Sequence, residues 1–377
     1  MTSQLTALVA GGGFGGLTAA TALAQRGWQV TLCERMPELR ASGSGIYIWE
    51  NGLRILDALG AQALDARAFR GFAMEQRNAA NEVIDDGAFP PHIRLYTIAR
   101  SGLMNALRDA ALRAGVKIRT GCEVLSATAS GEVQFPGGDG ASADLVVGAD
   151  GIWSGVRRSL GLEASHELTP EGALRAIIPG TQADLGPGGA RKYLECWNGE
   201  RRFLITPINE SEIYLALTCQ AGDESGKQVP LDRASWSASF PHWAHLIDRI
   251  TETLAWSPYS IVKVKSWSSG RAAIIGDAAH AQPPNLGQGG GMAMQSALAL
   301  AVHLEGVSDR RDIPDALARW EAAERPLAEH CQKWSCIYGE VSTLPDEVRD
   351  RVVAAGMADT WLRSQFLRVA MSVPTGT

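Results

Sequence analysis

Apolar residues fall along this chain in two textures. Residues 5–11 (LTALVAG) form a short run without polar alternation, the pattern of a strand buried on both faces. Residues 14–27 (FGGLTAATALAQRG) predict a helix stopped by Gly27, and 28–35 (WQVTLCER) a second strand. Strand, helix and strand within about 30 residues make a parallel βαβ unit. Residues 51–61 and 101–115 read as further helices, with an irregular, strand-like stretch at 71–98 between them. Residues 116–130 and 142–150 read as strands. From about residue 166 the texture changes. Residues 173–180, 191–199, 201–209 and 212–219 are short strands separated by turn residues, the signature of an antiparallel sheet. Residues 230–250 read as helical. The first texture then returns at 272–277 (AAIIGD), followed by long helices at 288–304 and 311–340 and a helical tail over 345–377.

This order predicts an α/β protein whose first domain is discontinuous. It takes residues 1–70, 98–165 and 260–340, is interrupted by a β-rich domain of 71–97 and 166–259, and ends in a helical tail at 341–377. The chain has 377 residues, long enough for two cores. Its net charge is −6 and its basic residues are scattered, which argues against a nucleic-acid partner. The six cysteines show no CxxC pair and no zinc spacing, so reduced thiols in a cytoplasmic protein and no metal site are expected, with Cys331 and Cys336 in a core. The start (MTSQLTALVAGGG) lacks the basic region of a signal peptide. No window reaches about 18 uninterrupted apolar residues, so no membrane span is expected.

Three motifs carry chemistry. The first is VAGGGFGG, in which Gly11, Gly13 and Gly16 fit GxGxxG between strand and helix. Gly11 makes the tight turn, Gly13 lets backbone approach a pyrophosphate, and Gly16 lets helix and strand pack closely. The pyrophosphate then rests on free N–H groups at the positive helix end. Glu34, at the end of the second strand, is placed to accept from ribose hydroxyls, and its charge disfavours a 2′-phosphate there. This motif alone does not choose between FAD and NAD. The second is DLVVGADGIWSGVRRSLG (144–161), another strand ending in acid and glycine. The third is GDAAHAQPPNLGQGGGMAM, with Asp277 at a strand end and a glycine collar before a helix. Asp277 suits a ribityl hydroxyl, and the N–H groups of Gly289, Gly290, Gly291 and Met292 suit the electron-poor carbonyl edge of a flavin. An NAD-dependent dehydrogenase has no use for this third element.

Taken together, these motifs in this order resemble the single-component FAD-dependent aromatic monooxygenases of the p-hydroxybenzoate hydroxylase type, over nearly the whole chain. The resemblance implies a Rossmann-like, discontinuous FAD-binding domain of the GR2 type, a β-sheet-rich substrate domain and C-terminal helices. It implies FAD, NADH or NADPH, and dioxygen, with oxygen delivered through a flavin hydroperoxide and with no strong catalytic base. The cofactor would touch the Gly11–Gly16 loop with Phe14 and Gly15, then Glu34, Arg35, Arg40, Tyr47, Arg100, Val124, Asp150, Gly276 and Asp277, and the collar from Gly289 to Met292. The stretches LRASGSGIYIWENGLRIL and GDAAHAQPPNLGQGGGMAM are similar to the branch acting on hydroxylated pyridine carboxylates. That likeness makes Arg175, Arg202 and Tyr214 substrate-side residues, the arginines gripping a carboxylate through their forks, and puts the Pro284 carbonyl at the reacting face. The branch carries a tyrosine near 69–73, where this chain reads FRGFA, and a histidine where this chain has Glu50. The expected reaction is hydroxylation of a small hydroxylated aromatic or N-heteroaromatic carboxylate, a hydroxypyridine carboxylate first, with ring opening as a further outcome. The expected state is monomer or homodimer. A hydroxybenzoate or salicylate hydroxylase and a non-catalytic flavin-binding regulator stand as alternatives. His280 is expected to be structural.

Overall fold

The computed structural model describes residues 4–39, 44–62, 64, 68–186, 191–252 and 254–377. The first texture builds a six-stranded sheet. Thr6–Ala10 lies at its centre, paired in parallel with Gln29–Cys33 on one side and Leu145–Gly148 on the other. Lys117–Arg119 and Ala272–Ile274 extend it in parallel, and Ser268–Ser269 closes one edge antiparallel. These strands lack polar alternation because both faces are covered: Val9, Val146, Val147 and Ile274 have almost no exposed surface. The helices Phe14–Gln25 and Gly289–His303 pack against each other over this sheet. Their contact is close because Gly15 faces the Ala293 backbone, where an added Cβ would sit 3.2 Å from a carbonyl oxygen.

The second texture builds a seven-stranded sheet from 73–77, 83–88, 163–179, 192–198, 201–207, 212–220 and 257–264. Its outer face is apolar. Leu174, Leu194, Phe203, Leu215 and Leu217 form one core with Trp236, Phe240 and Ile247 of the 233–247 region. Each such side chain, fully buried, contributes about 1.5–3 kcal/mol. The inner face is mixed. Gln76, Glu195, Leu204, Ala216 and Arg175 stand opposite one another on five successive strands, so one rung of side chains crosses the sheet toward the other domain.

Several elements differ from expectation. The 230–250 helix is three pieces, Arg233–Ser239, Pro241–Trp243 and Ala244–Ile247, because Pro241 ends the first. The 116–130 strand is reduced to Lys117–Arg119 and Ser126–Ala127, broken where Gly121 takes a φ of 63°. The expected boundary at 165/166 falls inside the single strand Glu163–Pro179. The tail is helical as expected, in two pieces, Asp346–Ala358 and Thr360–Leu367. Among the described residues no helix is long and apolar enough to cross a membrane, and no cluster of His, Cys, Asp and Glu has metal-binding geometry.

Candidate active site

The glycine loop closes on itself. Gly11 has a φ of 102°, and a Cβ there would lie 2.3 Å from the Ala149 carbonyl oxygen. A Cβ on Gly16 would lie 1.9 Å from the Gly11 carbonyl oxygen. Gly13 differs: a Cβ there would meet nothing within 4 Å. It is also the N-cap of the Phe14–Gln25 helix and offers no side-chain cap, which leaves the first N–H groups of that helix for a ligand. Glu34 accepts from the Gly12 N–H at 2.7 Å and from the Met36 N–H at 2.9 Å. Those two bonds fix the carboxylate at the mouth of the loop and leave it further lone pairs. Arg35 is exposed beside it. Arg40 lies outside the described residues.

A second helix start opens on the same cavity, which has a volume of ≈ 950 Å³ and runs from Gly13 and Phe14 past Gly276, Asp277, Gly289 and Gly290 to the mixed face of the large sheet. The Gly289–His303 helix likewise has no side-chain cap. Asp277 opens into this cavity. The protein crowding it raises its carboxyl above the usual carboxylate range, and Arg100 pulls it back. Arg100 spreads over the Phe14 ring, 4.9 Å from its centre. An open glycine, two uncapped helix starts and an acid between them fit a long cofactor with an anionic middle, as FAD has.

The collar does not act as one unit. The Met292 N–H already donates to the Gln288 carbonyl at 2.8 Å and its side chain is buried, so Met292 is withdrawn from the cofactor-facing set. Gly291 faces the Gln288 and Asn51 side chains, which leaves Gly289 and Gly290 at the cavity. Asp150 caps the following turn, accepting from the Ser154 hydroxyl at 2.5 Å and the Val156 N–H at 3.1 Å, while its neighbours Ala149 and Gly151 line the cavity. Val124 packs its side chain in the core. Tyr47 lines the cavity and bonds Thr206 across 2.5 Å. His280 is buried with Trp267 and Ser296, and burial pulls its imidazole down to about 4. Glu50 pairs with Arg94, at 2.8 and 3.0 Å, at the start of its helix.

On the substrate side the two arginines part company. Arg175 is half-buried, beside Tyr214 and 5.6 Å from the centre of the Tyr259 ring. It makes no ion pair among the described residues. Tyr214 fits only because Gly45 faces it: a Cβ at Gly45 would lie 2.7 Å from the ring. Arg202 is 5% exposed and bonds Glu171 at 3.0 Å, Glu195 at 3.3 Å and Asn285 at 2.5 Å. Burial would lower its pKa, but Glu171 and Glu195 outweigh burial and hold its proton. The carboxylate-gripping fork expected of Arg202 is thus occupied from within. Asn285 is itself tied to the Ser335 carbonyl at 3.0 Å, which sets the neighbouring Pro284 at the cavity wall.

Glu171, Glu195, Gln76 and Tyr338 were not foreseen. Gln76 donates to Glu195 at 3.0 Å, and the Tyr338 hydroxyl reaches both. Glu195 had a signal, being a lone acid inside the apolar strand KYLECWN. Gln76 and Tyr338 had none, because their partners lie more than a hundred residues away.

Comparison with known proteins agrees with this geometry. The FAD binding domain family matches residues 4–335. A Rhodococcus erythropolis protein provisionally named a 2-heptyl-3-hydroxy-4(1H)-quinolone synthase is 42% identical, over 98% of this chain and 96% of its own length. A 2-heptyl-3-hydroxy-4(1H)-quinolone synthase of Mycobacteroides abscessus is 39% identical over 96% of this chain and 97% of its own. The solved tetrameric form of 2-methyl-3-hydroxypyridine-5-carboxylic acid oxygenase is 36% identical with a TM-score of 0.88, covering 99% of this chain and 97% of that one. The chain therefore belongs to the FAD-binding monooxygenase family and is an FAD-dependent aromatic monooxygenase, an oxidoreductase that draws on dioxygen and a reduced nicotinamide cofactor.

Proposed function

We propose that this chain hydroxylates a ring carbon of an uncharged N-heteroaromatic of the 4-quinolone class. The observation that carries this reading is the occupied fork of Arg202, bonded to Glu171, Glu195 and Asn285. A carboxylate brought to that wall would meet two acids sharing one guanidinium, and like charges at close range disfavour binding. A neutral bicyclic ring meets no such penalty. The names of the R. erythropolis and M. abscessus relatives support the same substrate class.

When bound, FAD supplies the redox chemistry: electrons from the nicotinamide and activation of dioxygen. The residues of this chain supply position and shelter. The two uncapped helix starts would hold the cofactor's charged parts, and Asp277 would accept from one of its hydroxyls. Leu204, Ala216 and Tyr214 of the large sheet line the cavity together with Pro284 and keep water from the reacting ring. Arg175 and the Tyr214 hydroxyl orient a ring oxygen.

A second reading keeps the hydroxypyridine carboxylate as substrate. It is favoured by Arg175, a cation at the cavity without an acidic partner among the described residues. Reduced-nicotinamide oxidation by the holoenzyme, followed by product mass spectrometry, separates the two. With 2-heptyl-4(1H)-quinolone the expected product carries one added oxygen. Oxidation coupled only to hydroxypyridine carboxylates supports the second reading, and a gain of two oxygens there means ring opening.

A further inference from the structure

The cavity does not end at the polar wall. Besides Gln76 and Tyr338 its lining includes Met74 and Phe89 and, from the C-terminal helices, Met357, Phe366 and Leu367. None of these five apolar side chains is fully buried, and all line this partly open cavity. Met74 stands two residues from Gln76 on the same strand, so both point to the same face of the sheet. Phe366 lies edge-on to Tyr338, with ring centres 5.7 Å apart. The polar wall and this apolar end are therefore continuous.

The helix Thr360–Leu367 is held over the cavity from both sides. Arg363 donates to the Ala88 carbonyl, beside Phe89, on the substrate sheet. The last residues return to the other domain, where Ser372 bonds Gln295 at 3.4 Å and Thr375 bonds Glu324 at 2.7 Å. The helix is a strap from one domain to the other, with its apolar side turned inward. A half-exposed apolar wall inside a cavity gains free energy by covering itself with apolar matter rather than water.

We infer that Met74, Phe89, Met357, Phe366 and Leu367 form the seat for a straight aliphatic chain carried by the heteroaromatic substrate, with the Thr360–Leu367 helix setting how long that chain can be. The inference rests on the quinolone reading for the ring but on the cavity alone for the chain. The ring sits at the sheet face, and the chain runs past Tyr338 toward Leu367.

The test is a ladder of dissociation constants on the FAD-loaded protein, read by tryptophan fluorescence quenching. One ladder uses methyl-, pentyl-, heptyl- and nonyl-4(1H)-quinolones substituted at C2, and a second uses straight-chain 1-alkanols. Binding is expected to tighten by roughly three- to four-fold per methylene in both ladders until the seat is full. In Leu367→Trp the methyl-to-heptyl ratio is expected to collapse by about ten-fold, and in Leu367→Ala the preferred chain is expected to lengthen. Dissociation constants that ignore chain length in both ladders, or ratios that neither variant moves, overturn the seat. A gradient with alkanols but no quinolone binding or hydroxylation supports the seat and removes the quinolone reading instead.

Discussion

Between Gly11 and Gly16 the site is made of backbone; between Gln76 and Arg175 it is made of side chains. In the glycine loop, shape is set by where no side chain fits: Gly16 against Gly11 within the loop, and Gly11 against the Ala149 carbonyl of the neighbouring strand end. On the large sheet, five strands from two parts of the sequence each contribute one residue to a rung. The loop offers backbone N–H groups to the cofactor that the FAD binding domain family implies. The rung lines the cavity, and under the proposed function its charges select the substrate. Arg202 shows the difference: its type suggests anion binding, and its neighbours cancel that.

The largest effect should come from removing the Arg202 cation beside the rung. Arg202→Met leaves Glu171 and Glu195 buried without their cation and is expected to cost about 3–5 kcal/mol in urea denaturation. Were Arg202 a free substrate clamp, the variant would keep its stability and lose only affinity. Next is pH. With His280 lowered to about 4 from an ordinary value of 6.5, the unfolded chain takes up this proton before the folded one does. Stability is therefore full above about pH 6.5 and falls by about 3 kcal/mol as pH drops toward 4, a loss that His280→Gln should remove when Tm is followed across that range.

The glycine loop is probed by a pair. Gly16→Ala is expected to cost about 1–3 kcal/mol in the FAD-free protein, because its methyl meets backbone. Gly13→Ala is expected to leave FAD-free Tm unchanged, because its methyl meets nothing, yet to weaken FAD binding by roughly ten- to a hundred-fold in a fluorescence titration. Equal effects on Tm would mean that the open space at Gly13 is not the pyrophosphate's. The smallest effect belongs to Asp277→Asn, which keeps the shape but loses a charged acceptor. FAD affinity should fall by about ten-fold with Tm of the FAD-free protein preserved.

Much of the architecture was readable because it is periodic or local. The unalternating strands 6–10, 29–33, 145–148 and 272–274 announced a covered parallel sheet, and the turn-punctuated strands after 166 an antiparallel one. GxGxxG was readable because its three glycines lie a few residues apart in the sequence. Legibility failed where a role depends on hydrogen bonds already made. Met292 lost its expected place because helix geometry spends its N–H on Gln288. Asp150 serves first as a cap for 154–156.

The sequence by itself determined the two sheets, the nucleotide loop, the placing of Asp277 before a glycine collar and, through these, the family. Strand periodicity and glycine sterics act over a few residues, so they are written in consecutive letters. Only the tertiary structure decided that Arg202 faces two acids, that Arg175 does not, and that the C-terminal helix strap closes an apolar end onto the cavity. Burial and charge pairing depend on which distant strands lie side by side, and that register is settled only when the whole sheet forms.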